Sequence, residues 1–309
     1  MFFCPTLVCN LSCKYCVQSY WKHSENYKSY IQRWGGAYMT LETVEKAIFD
    51  CQSFPDKIKD INLTSFGEPL LHTDLPRIVR LINEAGIADR IQFFTNGTLL
   101  TKKLSEELLD AGLSELRISL QGITAEKYKD IAGATVDLTQ IIERIAYFCS
   151  IKGNAKLYIK CADIALDGNE QKFYEMFGDI CDKIYVEHIV PLFKDVDYSY
   201  LEDKDGSKNK YQQDLKTTRV CPNCFYTIAV WPGGDVLPCC NFYEPPIGNV
   251  HTQSLVDIWN GKARKEVLLR QLRCEYDYNC VDCYVPNNQQ PSDNLDGSVG
   301  EIIKRLEVI

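Results

Sequence analysis

Three cysteines, Cys9, Cys13 and Cys16, fall within the stretch CNLSCKYC near the start of the chain. A thiolate is a soft anionic donor, and three of them so close in sequence can converge on one metal centre. Three readings follow. They could be small buried hydrophobes, but Cys13 and Cys16 are flanked by polar residues in a loop-like stretch. They could bind zinc, which wants a fourth ligand, and Cys4 is the candidate. Or they could hold a [4Fe–4S] cluster with three protein thiolates, leaving one iron open to a small molecule. A second group, Cys221, Cys224, Cys239, Cys240, Cys274, Cys280 and Cys283, lies near the other end. There the pairs Cys221/Cys224 and Cys280/Cys283 have zinc-like spacing.

The chain has 309 residues, of which 15 are cysteine, 45% are hydrophobic, and the net charge is −8. That length and apolar content support one large α/β domain with an appendage. The acidic balance argues against a general nucleic-acid binder. No apolar run reaches the roughly 18 residues of a membrane span. The opening MFFCPTLVC has neither the basic flank nor the long apolar stretch of a signal peptide. We therefore expect a cytoplasmic protein with reduced thiols, in which clustered cysteines mean metal rather than disulfides. Cys51, Cys149, Cys161 and Cys181 sit in apolar periodic segments and read as packing residues.

The elements that must position these groups alternate. Candidate strands are Phe2 to Val8, Asp60 to Ser65, Arg90 to Thr95, Glu115 to Leu120, Lys156 to Ala162 and Ile184 to Val190. Helical patterns lie between them, such as MTLETVEKAIFD with Thr40 as N-cap and TKKLSEELLDAG with Thr101 as cap and Gly112 as stop. Six βα units predict a partial, open (β/α)6 TIM-like barrel over residues 1–191. Residues 192–219 are polar and charged and read as a linker or loop. Residues 220–309 predict a small domain with a β-hairpin, whose turn is PGGD, plus helices.

On these residues the chain resembles the radical S-adenosylmethionine (SAM) superfamily. Cys9-x3-Cys13-x2-Cys16 follows the first strand, with the aromatic Tyr15 before the last cysteine. SFGEP at the end of the second strand is similar to that family's Gly-Gly-Glu-Pro motif. Phe66 replaces the first glycine, and Gly67, Glu68 and Pro69 are kept. The resemblance implies that this motif takes the SAM ammonium through backbone carbonyls and the Glu68 carboxylate. It also implies that Asn96 and Ser119, at the ends of the third and fourth strands, approach SAM. Relatives carry an arginine for the SAM carboxylate where this chain has KDIAGATVD, so Lys160 is the candidate replacement. All of these fall at the carboxyl ends of strands, where barrel sites are built. The implied chemistry is that of the cofactor: one electron cleaves SAM, and a 5′-deoxyadenosyl radical takes a hydrogen from an unactivated carbon.

The C-terminal cysteines resemble the twitch or SPASM extension, which holds auxiliary iron–sulfur clusters. The shorter, one-cluster form implies an auxiliary [4Fe–4S] cluster on Cys221, Cys239, Cys280 and Cys283, with Cys224 and Cys274 spare or alternative ligands. Cys240 directly follows a proposed ligand. Adjacent residues of an extended chain face opposite sides, so Cys240 should face away from the cluster, toward the barrel mouth. There its thiol could return a hydrogen atom to a substrate radical.

Such a thiol would make the protein an epimerase of a carbohydrate-type substrate, a sugar, amino sugar or nucleotide sugar. With the first strand expected from residue 2, we expect no preceding domain that would grip a peptide leader, which favours a small carbohydrate. Alternatives are a dehydrogenase that forms a ketone, a ribosomal-peptide maturase, a two-cluster electron carrier and a zinc-stapled binding protein. A one-electron reductant such as flavodoxin or ferredoxin is the implied partner, with neither nucleic acid nor membrane. On the sixth strand Glu187 and His188 alternate sides. Glu187 could bond a substrate hydroxyl or pair with a lysine or arginine.

Overall fold

The computed structural model describes residues 1–309 apart from 65, 203–206, 215–217, 242–243, 277, 279, 282, 284 and 309 and the side chain of Val308. Strands β1 (Phe2–Phe3), β2 (Ile61–Asn62), β3 (Ile91–Thr95), β4 (Glu115–Leu120), β5 (Lys156–Ala162) and β6 (Lys183–Glu187) alternate with helices. The helices of this part are α1 (Val17–Lys22), α2 (Tyr27–Arg33), α3 (Leu41–Cys51), α4 (Leu75–Ala85), α5 (Lys102–Asp110), α6 (Ala125–Ala132), α7 (Leu138–Ile151) and α8 (Glu170–Phe177). Neighbouring strands from β1 to β6 pair in parallel, as an open barrel of βα units requires. Local capping chemistry sets several helix starts. Thr40, Thr101, Thr124 and Asp137 each accept a backbone N–H of the first turn.

The predicted strand bounds hold at β4 and β5 and nearly at β3. They shrink at β1, where residues 4–8 leave the sheet, and at β2. The predicted end of the second strand, Ser65, lies outside the described residues. The last strand runs Lys183–Glu187 and stops before His188.

The second part is not set apart from the first. After α9 (Asn223–Tyr226), strand β7 (Ala229–Val230) pairs in parallel with β1, Phe2 against Ala229 and Phe3 against Val230. Strands β8 (Asp235–Leu237) and β9 (Gly248–Asn249) follow antiparallel, so one nine-stranded sheet runs β6-β5-β4-β3-β2-β1-β7-β8-β9. The expected hairpin is present and is built onto the barrel edge. Helices α10 (Leu255–Trp259), α11 (Lys262–Arg273) and α12 (Val299–Val308) complete the chain.

The polar stretch 192–219 carries no helix or strand among its described residues, yet it packs closely. Val196, Tyr198 and Leu201 are buried, Tyr198 Oη donates to the Tyr15 carbonyl at 3.2 Å, and the His188 amide donates to the Lys210 carbonyl. A few apolar residues among the charges anchor it. Of the four cysteines read as packing residues, Cys51 and Cys161 are buried while Cys149 and Cys181 are half-buried.

The hairpin turn touches the barrel at two glycines. A Cβ on Gly35 (φ +83°) would strike the backbone of Gly233, and Gly233 N donates to the Trp34 carbonyl at 2.8 Å. Gly35→Ala is expected to cost about 1–3 kcal/mol. The check is its melting temperature against Gly153→Ala, also at positive φ but with nothing within 4 Å of the added methyl.

Candidate active site and auxiliary cysteine cavity

At the carboxyl ends of the strands lies a cavity of about 410 Å³. Cys9, Cys13, Cys16, Gly67, Glu68 and Asn96 are on its wall, as are Tyr15, Ser119 and Lys160. Of the residues expected there, the structure leaves out Pro69, which opens a 3-10 turn (Pro69–Leu71) just behind Glu68. Cys4 is fully buried with its thiol toward the Thr6 carbonyl and is absent from this wall, so it does not complete a zinc site.

The cysteine loop is fixed from several sides. Ser12 N and Lys14 N donate to the carbonyls of Ala132 and Ile131, which end α6 and have no partner within the helix. Lys22 Nζ donates to Cys9 O and Ser12 Oγ, each at 3.3 Å. Cys16 is the N-cap of α1, and the amides of Gln18 and Ser19 face its thiol. Burial pushes all three thiols up, Cys9 to about 11. Thiols this buried become thiolates only when a positive centre joins them, and coordination to a metal deprotonates a thiol outright. Three such thiols on one wall, with no fourth, fit a cluster that keeps one iron open.

Glu68 ties the wall together. Its carboxylate accepts Leu70 N at 3.0 Å, Thr95 Oγ1 at 2.6 Å and Asn96 N at 2.8 Å, and its own amide donates to Val8 O. Burial pushes this carboxyl up to about 6 against those three hydrogen bonds. Asn96 Oδ1 accepts Thr98 N, and its Nδ2 donates to Asn10 Oδ1 at 2.9 Å, so the strand end and cysteine loop share one network. Thr95, missed from sequence, stands out only as the hydroxyl before Asn96. Gln121 was missed too. It bonds the Tyr15 hydroxyl and donates to Ser119 O at 3.1 Å.

Lys160 faces Ser119 across the β4–β5 ladder and pairs with Glu187, which shares the cavity wall. The lysine-pairing alternative for Glu187 is therefore the one seen. His188 points elsewhere, to Asp163. The barrel interior is unusual in its burial. Along β4 the helix-facing Leu116, Ile118 and Leu120 are buried, while Arg117 and Ser119, which face inward, are half-buried. Tyr158 and Lys160 repeat the pattern on β5. The cavity wall mixes the polar Ser119, Lys160 and Glu187 with the apolar Phe66, Phe94 and Phe193.

The second cavity, about 180 Å³, is lined by Cys221, Cys224, Cys239, Cys280 and Cys283. It brings the four proposed auxiliary ligands together and adds Cys224. Cys274 is exposed, caps α11 in the left-handed region (φ 58°) and is not on the wall. Burial pushes Cys221 up to about 12 and Cys239 and Cys224 well above a thiol's usual value. Five thiols around one space, Cys224 buried and the other four half-buried, fit an iron–sulfur cluster by the same argument. Among the described residues, no three His, Cys, Asp or Glu side chains close on a single ion-sized point.

Cys240 is absent from both walls. Its thiol accepts from Asn223 Nδ2 at 3.6 Å, and its titratable neighbours are the Cys283 thiol, Lys210 and the Met1 ammonium. It diverges from Cys239 as alternation requires, but the expected direction toward the mouth changes. Because β7 runs parallel to β1, the Pro232–Gly234 turn reaches the mouth end. The residues after β8 lie at the amino ends of the strands.

Gly67 is required by backbone proximity. A Cβ there would strike the carbonyl oxygens of Thr6 and Val8, the latter at 2.7 Å. Gly67→Ala should displace the Glu68 segment and lower SAM cleavage by roughly 100-fold, the cost of a displacement near 1 Å. The check is 5′-deoxyadenosine release at equal iron content; an unchanged rate would contradict this placement.

Residues 3–159 match the family model of the radical SAM superfamily, and residues 221–284 match that of the SPASM iron–sulfur cluster-binding domain. A tungsten-containing aldehyde ferredoxin oxidoreductase cofactor-modifying protein of Pyrococcus furiosus is 25% identical over 89% of this chain and 84% of its own. A GTP 3′,8-cyclase of Staphylococcus aureus is 28% identical over 72% of this chain, which spans 63% of the cyclase. Two solved structures share the fold: BtrN in complex with AdoMet and 2-DOIA (TM-score 0.58, 19% identity, 94% of this chain and 95% of BtrN), and anSMEcpe with AdoMet (TM-score 0.64, 14% identity, 99% and 98%). The chain belongs to the radical SAM superfamily and carries a C-terminal SPASM iron–sulfur cluster-binding domain.

Proposed function

We propose that this protein is a radical SAM epimerase of a carbohydrate-type small molecule, with Cys240 as hydrogen donor. The observation that carries the reading is the placement of the two cysteine groups at opposite ends of β1. Cys9, Cys13 and Cys16 follow β1 at the carboxyl ends of the strands, and Cys240 follows β8 at the amino ends. A substrate held between them meets one reactive group from each side. Inversion needs this arrangement, because hydrogen must leave one face of the carbon and return on the other.

When bound, SAM and its cluster supply a 5′-deoxyadenosyl radical that takes a hydrogen atom from a substrate carbon. The rest falls to the chain. Glu68 and Gly67 shape the wall that orients SAM, and Lys160, which pairs with Glu187, is the cation on that wall that a carboxylate would have to share. Ser119, Gln121 and the Lys160–Glu187 pair are the polar groups on the wall that could meet hydroxyl groups. The Cys240 S–H bond breaks, its hydrogen atom forms the new C–H bond, and a thiyl remains. One electron and one proton then restore the thiol, the electron from a reduced flavodoxin or ferredoxin.

The test is anaerobic turnover in deuterium oxide with sugars, amino sugars and nucleotide sugars. The expected product carries one solvent deuteron and an inverted centre. Cys240→Ala should still release 5′-deoxyadenosine while product formation falls at least about 100-fold, the lower range for loss of a positioned hydrogen-transfer group. Normal turnover by Cys240→Ala would rule out the donor role. A product two hydrogens lighter would mean dehydrogenation to a ketone.

A further inference from the structure

Behind the auxiliary cavity lies a buried cation that no carboxylate pairs with among the described residues. Arg264 is 6% exposed and sits on α11, on the same helical face as Val267 and Gln271, both of which line the cavity. Its guanidinium donates only to carbonyl groups: NH1 to Trp259 O at 3.1 Å, and NH2 to Cys224 O at 3.1 Å and Phe225 O at 2.9 Å. Its Nε–H is buried without a partner. The guanidinium carbon stacks 3.5 Å from the centroid of the Trp259 ring. Among the described residues no Asp or Glu pairs with it, although other part-buried arginines such as Arg90 and Arg117 have one.

A buried charge left without an opposite charge costs several kcal/mol, so such groups are paired or bound to an ion. Among the described residues, the groups nearby that can become anionic are thiols. Cys224, whose carbonyl Arg264 holds, is on the cavity wall, and Cys221, Cys239, Cys280 and Cys283 share that space. As thiols they carry no charge. As ligands of an iron–sulfur cluster, they and its sulfides give the cavity a net negative charge.

We propose that Arg264 is the buried counter-charge of the auxiliary iron–sulfur cluster and sets its reduction potential. The proposal rests on the cluster-binding assignment of residues 221–284. One-electron reduction adds a negative charge in this cavity. A fixed cation one residue layer away, in a medium of low dielectric, favours the reduced form. Arg219 also lines the cavity, but its backbone amide is held by Asp296 and it stands at the rim rather than in the protein interior. Arg264 thus makes the auxiliary site easier to reduce. It also couples helix α11 to cluster loading, since the apo protein would bury the same cation without a partner.

The experiment is an anaerobic, spectroscopically monitored redox titration of the reconstituted protein and of Arg264→Met and Arg264→Lys. Iron content is measured first, so that absence of the auxiliary cluster is distinguished from a change in it. Arg264→Met is expected to disfavour reduction of the auxiliary cluster about tenfold, a fall of ~59 mV for one electron. Arg264→Lys, which keeps the charge, should stay near the parent, and the signal of the Cys9–Cys13–Cys16 cluster should not move. Equal shifts in the two variants, or none in either, would overturn the proposal. If Arg264→Met cannot be loaded, Arg264→Lys decides: full iron content supports the charge role, and failure of both overturns it. Thermal melting gives a second readout. Arg264→Met should lower the melting temperature of the loaded protein but not of the apo protein. An equal loss in both would show a role confined to the carbonyl hydrogen bonds.

Discussion

The parallel pairing of β1 with β7 is the contact on which the functional geometry depends. It consists of two residue pairs, Phe2 with Ala229 and Phe3 with Val230. Parallel pairing fixes the direction of the hairpin, and the direction fixes which of its ends faces which end of the barrel. The turn goes to the mouth, where Trp231 stacks on Trp34 and Phe66. The open end carries Cys221, Cys224 and Cys239 to the other end of the same strand. An antiparallel pairing would have put both cysteine groups at the mouth. One short ladder therefore separates the two cavities along the barrel axis and leaves the barrel interior between them.

That interior runs against the usual rule for small barrels, in which inward side chains fill the space. Here Leu116 and Ile118 of β4 and Leu157 and Ile159 of β5 are buried on the helix-facing side, while the inward Phe94, Arg117, Ser119, Tyr158 and Lys160 remain half-buried. Stability comes from the sheet–helix interface, which frees the inside to hold polar groups. Asp60, Arg90, Glu115 and Arg117 form a linked set of ion pairs at the amino-end floor, with Glu115 almost fully enclosed. Above them the pair Lys160–Glu187 borders the cysteine cavity. Charges in this setting are tolerated because each has a partner, which sets Arg264 apart.

Much of this was legible from the sequence, for a physical reason in each case. The bounds of β4 and β5 could be read because both strands are long and alternate cleanly. The helix starts at Thr40 and Thr101 could be read because a capping hydroxyl is a local device. The convergence of Cys9, Cys13 and Cys16 follows from their spacing. The pairing of β7 with β1 could not be read, because it joins residues more than two hundred positions apart over a ladder of two, and such contacts leave no periodic trace. The same blindness misdirected Cys240: alternation predicts that it leaves Cys239, but only the sheet order says toward which end. Two of the three bonds to the Glu68 carboxylate were hidden likewise, since Thr95 and Asn96 come from the next strand.

The replacement of glycine by Phe66 shows how the motif divides its labour. At position 67 the backbone passes so close to Thr6 and Val8 that no side chain fits. Position 66 is under no such limit, and its ring meets Trp21 at 5.3 Å, Trp231 at 5.9 Å and Phe193 at 6.2 Å between centroids. Those three partners come from the first helix, the hairpin and the 192–219 segment. A glycine at 66 would leave them without a common contact. The departure from the family pattern thus lies where space allows it. It also gives the cysteine cavity an apolar wall in direct contact with the hairpin turn, so the two halves of the chain meet at the mouth through aromatic packing as well as along β1 through the ladder.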